Sequence, residues 1–320
     1  MHAHKFVLYF IFNYLYQGAV VRRAIALAVA LVSFSFSATA SINTSKLKAD
    51  NLHTASVSTY VMDLSAGRTL YKKNSNLVMP IASITKLMTA MVTLDAKLPL
   101  NEKITFNKAD KERMYNNYTR VRLGSTLSRG ETIHIALMSS ENLAAAALAG
   151  HYPGGSKAFV KAMNAKAKAL GMTHTRFVDS SGLDPRNVST ASDVSKLVRA
   201  AYKYPQIRKY STTPVHTAYF GKPNYKLGYT NTNALARGKK WTVNLTKTGH
   251  LKVAGHCLAM VTTIQGRKYL MVMLDTQGKL TPVGDAGRIK KWLETGHSGD
   301  ISASAKAYQT QKYKQLTHKA

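Results

Sequence analysis

Cysteine is almost missing from this chain. The single Cys257 excludes an intrachain disulfide. It lies in Ala254-Gly255-His256-Cys257-Leu258-Ala259-Met260-Val261, which reads as a buried strand, so a structural thiol is expected there rather than a nucleophile. His256 is read as a strand or surface residue. Acidic residues are also scarce, with 15 Asp and Glu against 45 Lys and Arg and a formal charge of +30 over 320 residues. The eleven histidines show no His-Glu-x-x-His and no Cys/His ligand spacing, so metal catalysis has no support and no cofactor is expected. Internal repeats are lacking. So are the usual nucleic-acid recognition motifs, which argues against nucleic acid as the polyanion that such a charge advertises.

The first 40 residues read as targeting rather than fold. Arg22 and Arg23 precede a weakly polar to apolar run over 24–36, and Ala38-Thr39-Ala40 offers a small-x-small cleavage site, which predicts export with a cut after Ala40. A second apolar stretch over 6–15 leaves two readings of residues 1–20: a gene-start artefact with Val21 as the initiator, or an uncleaved membrane anchor. Residues 1–40 hold Lys5, Arg22 and Arg23 and no acid, so the mature chain carries about +27. For an exported protein, a bacterial cell wall rich in peptide carboxylates fits that charge better than nucleic acid does. A solvated basic face is the plainer alternative.

Residues 41–55 read as a linker. A hairpin is predicted from 56 onward, with Val57-Ser58-Thr59-Tyr60-Val61-Met62 alternating, Ser65-Ala66-Gly67-Arg68 turning and Thr69-Leu70-Tyr71 returning. Leu87, Met88, Met91 and Leu94 recur at helical spacing, which predicts a helix over 82–95 with Ser83 in its first turn. Further helices are expected over 131–149 and 156–170, separated by Pro153-Gly154-Gly155, and from a cap at Ser192-Asp193-Val194 to about Tyr202. The pattern then returns to strands over 242–247, 253–264 and 268–274, followed by a helix over 282–294. Strands at both ends of a helical middle predict one antiparallel sheet with a separate helical lobe. The Ser/Ala/Lys/Gln-rich tail, 298–320, is expected to be disordered.

Three short motifs fall in order: Ser83-Ile84-Thr85-Lys86, Ser140-Glu141-Asn142 and Lys247-Thr248-Gly249. Singly the first two mean little, since Ser45-Lys46-Leu47-Lys48 and Ser41-Ile42-Asn43 fit the same patterns. Together they supply a nucleophile, a base, a proton relay and an anion anchor. A serine hydroxyl needs an adjacent base, and residues three apart share a helix face, so Lys86 can serve Ser83 if burial or a nearby like charge keeps its amine neutral. Lys247 can supply that charge and attract an anionic substrate terminus, which Thr248 can hydrogen-bond. Gly249 would let the strand backbone approach the substrate. Ser140 and Asn142 interrupt the helical pattern, which suits a turn projecting into a cleft.

With Leu87-Met88-Thr89 after the first motif, Met138-Ser139 before the second and Leu245-Thr246 before the third, the set resembles the low-molecular-mass penicillin-binding proteins, the serine D-alanyl-D-alanine peptidases. The similarity runs over about 56–296 and includes Phe177-Val178-Asp179-Ser180-Ser181-Gly182-Leu183 and Asn187-Val188-Ser189-Thr190-Ala191. The resemblance implies an α/β (α+β) fold of the β-lactamase/transpeptidase type, a five-stranded antiparallel sheet with flanking helices and a helical subdomain, filling 56–297. It implies Ser83 as acylated nucleophile, Lys86 as general base, Ser140 as proton relay supported by Asn142, and Lys247 and Thr248 as the carboxylate site. The oxyanion hole falls on the backbone N–H groups of Ser83 and His250, whose side chain is then incidental.

The implied partners are peptidoglycan peptide stems and β-lactams, with weak association to an anionic wall or membrane surface, in the periplasm. Only 24 residues follow Gly296, and the layout resembles the murein DD-endopeptidases that cut D-alanyl–diaminopimelate cross-links. A D-alanyl-D-alanine carboxypeptidase is the alternative. A class A β-lactamase would need a Glu-x-x-Leu-Asn loop, which is not found in the helical middle region, and a non-catalytic cationic wall-binding protein would not need the motif set.

Overall fold

The computed structural model describes residues 42, 44, 47–114 and 118–317; the expected targeting segment lies outside the described residues. The sheet is built from both ends of the described chain. Strands β1 (Ser58–Asp63) and β2 (Arg68–Lys73) form the predicted hairpin, and β5 (Thr242–Leu251), β6 (Gly255–Ile264) and β7 (Arg267–Thr276) form an antiparallel run. The order is β2-β1-β7-β6-β5, closed by β1 against β7 with Ser58 opposite Leu274 and Asp63 opposite Tyr269. Between these ends lie the helices α1 (Lys86–Asp95), α2 (Arg129–Met138), α3 (Asn142–Gly150), α4 (Gly155–Ala169), α5 (Ala191–Ala201) and α6 (Pro205–Thr212). A hairpin of β3 (Val215–Phe220) and β4 (Tyr225–Thr230) follows.

Strands β6 and β7 read as continuous apolar runs because both faces of the sheet are covered. Leu270, Val272 and Leu274 join the cluster shared with the helical middle, while Tyr269, Met271 and Met273 face Ala286, Ile289, Trp292 and Leu293. That second face is covered by α7 (Thr281–Thr295), and side chains alternating along a strand divide the run between the two cores. Cys257 is buried within β6, as expected of a structural thiol, and burial pushes it up to about 12.

Three expectations are corrected. Residues assigned to a linker belong to the fold: Ile42 and Leu52 are buried in the second core, and Lys48 O accepts a hydrogen bond from Trp292 Nε1 at 2.9 Å. The Asp285 carboxylate pins the chain further by accepting from Ala55 N and Ser56 N, each at 2.8 Å. The tail expected to be disordered contains α8 (Ala303–Thr317). Tyr308 donates to Asp275 at 2.6 Å, Gln309 to Thr54 O at 2.6 Å and Lys312 to Val253 O at 3.2 Å. Composition hides this helix because, of its residues, only Tyr308 and Leu316 pack against the core, and polar tertiary contacts supply much of its attachment. The cap of α5 is Thr190, whose hydroxyl accepts from Asp193 N at 3.0 Å, rather than the Ser192 group. Hairpin β3–β4 was not expected.

Candidate active site

Ser83 lies in a single 3-10 turn, Ala82–Thr85, that runs directly into α1. In a 3-10 turn residues i and i+3 eclipse, so Lys86 is brought over Ser83 with Nζ 2.8 Å from Oγ. The amine also lies 2.8 Å from Asn142 Oδ1 and 2.7 Å from Ser181 O. The latter two atoms can only accept. A neutral amine has two N–H bonds and one lone pair, so with both hydrogens spent on Asn142 and Ser181 the lone pair faces the Ser83 hydroxyl.

Burial lowers Lys86 to about 7, with Asp179 and Glu141 pulling the other way. Lys247 is also held well below its ordinary value, first by burial and then by repulsion from Lys86. Desolvation, more than the like charge anticipated from the sequence, therefore favours the neutral Lys86 amine.

Ser140 occupies the turn between α2 and α3 with φ of 62°, a left-handed conformation unusual for a side-chain-bearing residue. There its Oγ is 3.0 Å from Lys247 Nζ, which also donates to Thr248 O at 2.9 Å. Lys247, Thr248, Gly249 and His250 lie on β5, the edge strand of the sheet. A Cβ on Gly249 would stand 3.0 Å from Ser83 N and 3.1 Å from Ile81 O. In the fold it lets β5 close on the turn that carries Ser83, a packing role not anticipated from the sequence.

Ser83, Ser140, Asn142, Thr248, Gly249 and His250 line one cleft of about 690 Å3, and Lys86 and Lys247, each 1% exposed, sit beneath it. All eight residues singled out from sequence are thus brought together. Sequence reasoning gave no role to Thr232, whose Oγ1 is 2.6 Å from that of Thr248, nor to Arg237 and Lys279, which add positive charge to the cleft wall. His256, read as a strand or surface residue, is a strand residue that lines the cleft with its ring stacked on His250 at 3.9 Å.

The loop 177–183 supports Lys86. Asp179 Oδ1 accepts from Ser181 N at 2.6 Å and Gly182 N at 2.5 Å, and Oδ2 from Asp184 N at 2.7 Å, which aims the Ser181 carbonyl at Lys86. Gly182 has φ of +81°, and a Cβ there would meet Ala82 O at 2.0 Å and Thr85 Oγ1 at 2.8 Å. Gly182→Ala is therefore expected to cost about 2–3 kcal/mol of stability and, by shifting the turn that holds Ser83, to slow acylation at least about tenfold. Chemical denaturation and penicillin labelling measure the two effects; wild-type values in both would refute this account of the glycine.

The peptidase S11 family model, described as D-alanyl-D-alanine carboxypeptidase, matches residues 44–278. A D-alanyl-D-alanine endopeptidase of Pseudomonas aeruginosa is 53% identical over 258 residues, covering 81% of this chain and 83% of its own length. An Escherichia coli protein of the same name is 50% identical over 262 residues, covering 82% and 84%. Among solved structures, the Streptomyces K15 DD-transpeptidase superposes with a TM-score of 0.71 at 28% identity, over 76% of this chain and 98% of that one. The fold is thus the five-stranded sheet and helical subdomain of the DD-peptidases, and with a family match across most of its length this chain belongs to the S11 D-alanyl-D-alanine peptidases, serine hydrolases.

Proposed function

We propose that this S11 peptidase is a peptidoglycan DD-endopeptidase that opens D-alanyl–diaminopimelate cross-links through an acyl-enzyme on Ser83. The contact between the Ser83 hydroxyl and the buried amine of Lys86 carries the chemistry. Lys86 takes the hydroxyl proton as Oγ attacks the D-alanyl carbonyl. The backbone N–H groups of Ser83 and His250 hold the oxyanion. The proton returns to the departing amine through Ser140, water then hydrolyses the ester, and the peptide's terminal carboxylate rests against Lys247 and Thr248. An extended stem can align along β5, whose edge position suits added-strand recognition.

The preference for an endopeptidase rests on the two relatives of that name at 53% and 50% identity. Carboxypeptidases such as that of Bacillus subtilis match at 28%. The test is digestion of purified cross-linked muropeptide dimers by the protein, read by mass spectrometry with Ser83→Ala as the blank. Dimers converted to monomers are expected. Release of terminal D-alanine alone would make the enzyme a carboxypeptidase using the same site.

β-Lactams should acylate Ser83 and stay. A Listeria monocytogenes penicillin-binding protein of this fold, TM-score 0.65 at 31% identity, has been solved with cefotaxime bound. The two acids whose charge acts on Lys86 are Asp179 and Glu141, and both are engaged in holding loops. Asp179 accepts the backbone bonds given above, and Glu141 Oε1 accepts from Thr119 Oγ1 at 3.0 Å and Leu143 N at 3.3 Å. Asp179 thus has both oxygens committed, and Glu141 has its Oε1 committed. Labelling that persists for many minutes after excess penicillin is removed is the expected result, and rapid turnover would overturn it. Export to the periplasm is part of the same proposal, supported by the residues 22–40 pattern and by a charge suited to anionic wall peptides; a native N-terminus at Ser41 is its observable.

A further inference from the structure

Three side chains converge on the first turns of α2, the helix that leads to the Ser140 turn. Glu131 and His134 stand on one face of α2, and His216 reaches them from β3, 85 residues beyond Glu131. Each offers one ligand atom, and these atoms lie within 4.8 Å of one another. His216 Nε2 is 2.5 Å from Glu131 Oε2, His134 Nδ1 is 3.8 Å from Glu131 Oε1, and the two imidazole rings are 4.2 Å apart.

The hydrogen bonds around His134 locate its proton. Thr213 Oγ1 donates to Lys209 O at 2.9 Å, so its one hydrogen is committed and it accepts from His134 Nε2, also at 2.9 Å. A neutral His134 therefore carries its hydrogen on Nε2, and Nδ1 turns a lone pair toward a carboxylate oxygen. Two acceptors facing each other, the His134 side chain 8% exposed and the Glu131 side chain 38% exposed, repel unless a cation or a proton lies between them. Two imidazoles and a carboxylate, one imidazole fixed by a hydroxyl on its far nitrogen, make a zinc-type donor set with its outer support in place.

We propose that Glu131, His134 and His216 bind one divalent transition-metal ion of the zinc class, through a carboxylate oxygen, Nδ1 and Nε2 respectively. Bonds of about 2.0–2.2 Å in a tetrahedral site separate ligand atoms by roughly 3.3 Å. The ligand atoms, within 4.8 Å of one another, then draw together by up to about 1.5 Å, and the 2.5 Å contact between His216 Nε2 and Glu131 Oε2 opens by about 0.8 Å. His216 moves its ring hydrogen from Nε2 to Nδ1 as the ion takes its place, and water completes the fourth position. The ion ties α2 to the hairpin β3–β4, whose last residue Thr230 and the following Asn231 and Thr232 reach the cleft wall. It therefore braces the two elements that deliver Ser140 and Thr232, without touching the reacting atoms.

The test is calorimetric titration of the tag-free full-length chain with Zn2+ and with Mg2+, followed by thermal melts with and without Zn2+. Saturable one-to-one Zn2+ binding with a rise in melting temperature is expected, and no response to Mg2+. In His216→Gln and Glu131→Gln the Zn2+ affinity should fall at least about tenfold and the melting shift should shrink, while fluorescent penicillin still labels Ser83 and so reports an intact fold. Absence of one-to-one Zn2+ binding by the wild-type chain overturns the proposal. Unchanged binding in both variants overturns it equally, by placing the ion at other histidines.

Discussion

Ser83→Ala is expected to abolish covalent labelling by fluorescent penicillin and to lower muropeptide cleavage by at least about 10⁴-fold, because no other group can form the ester intermediate. Ser140 and Thr248, the other cleft hydroxyls in the motif set, lie 3.0 Å from Lys247 Nζ and 2.6 Å from Thr232 Oγ1 respectively, whereas Lys86, the proposed base, contacts Ser83. The fold should survive the change: Ser83 lies in a short turn held by its neighbours, and its hydroxyl is a small part of the buried network. A melting temperature near that of the wild type together with lost labelling is the predicted pair. Persistent labelling at another residue would remove Ser83 from its assigned role.

Lys86→Met should reduce the acylation rate constant by about 10³–10⁴-fold while Ser83 remains present, the range ascribed to a positioned general base. Lys86→Arg should not rescue it, since a guanidinium stays protonated and has no lone pair to offer. The wild-type pH profile tests the same assignment. The folded-state amine sits at about 7, below its ordinary value, and only its neutral form accepts a proton. Acylation therefore rises with pH through 7, and the neutral fraction falls about tenfold from pH 8 to pH 6. A profile flat across that window, or one that rises as pH falls, would rule out Lys86 as the base.

The site was more legible than its supports. Ser83 and Lys86 are three residues apart, and the local turn alone nearly sets their contact, so sequence spacing suffices. Ser140 and Lys247 meet across 107 residues, and only the ordered motif set hinted at that. The Ser181 carbonyl and the Asp179 loop were visible as a resembling segment but without a role, because a backbone acceptor leaves no compositional trace. The same holds for α8, fastened by Tyr308, Gln309 and Lys312 to a carboxylate and two backbone carbonyls that no periodicity announces. The cluster of Glu131, His134 and His216 escaped for a related reason, since its third member comes from a hairpin that sequence patterning did not reveal.

By itself the sequence determined the elements with strong periodicity and the residues proposed for catalysis: the strands of the sheet, α1, α7, and in order Ser83, Lys86, Ser140, Lys247 and Thr248. Local propensity and residue chemistry decide those. Tertiary structure alone decided that Lys86 is buried enough to be neutral near pH 7, that Ser140 adopts a left-handed backbone beside Lys247, and that Gly182 and Gly249 are required by the packing around the Ser83 turn. Desolvation and close backbone approach depend on what the rest of the chain brings to a point in space, and spacing along the chain does not encode that.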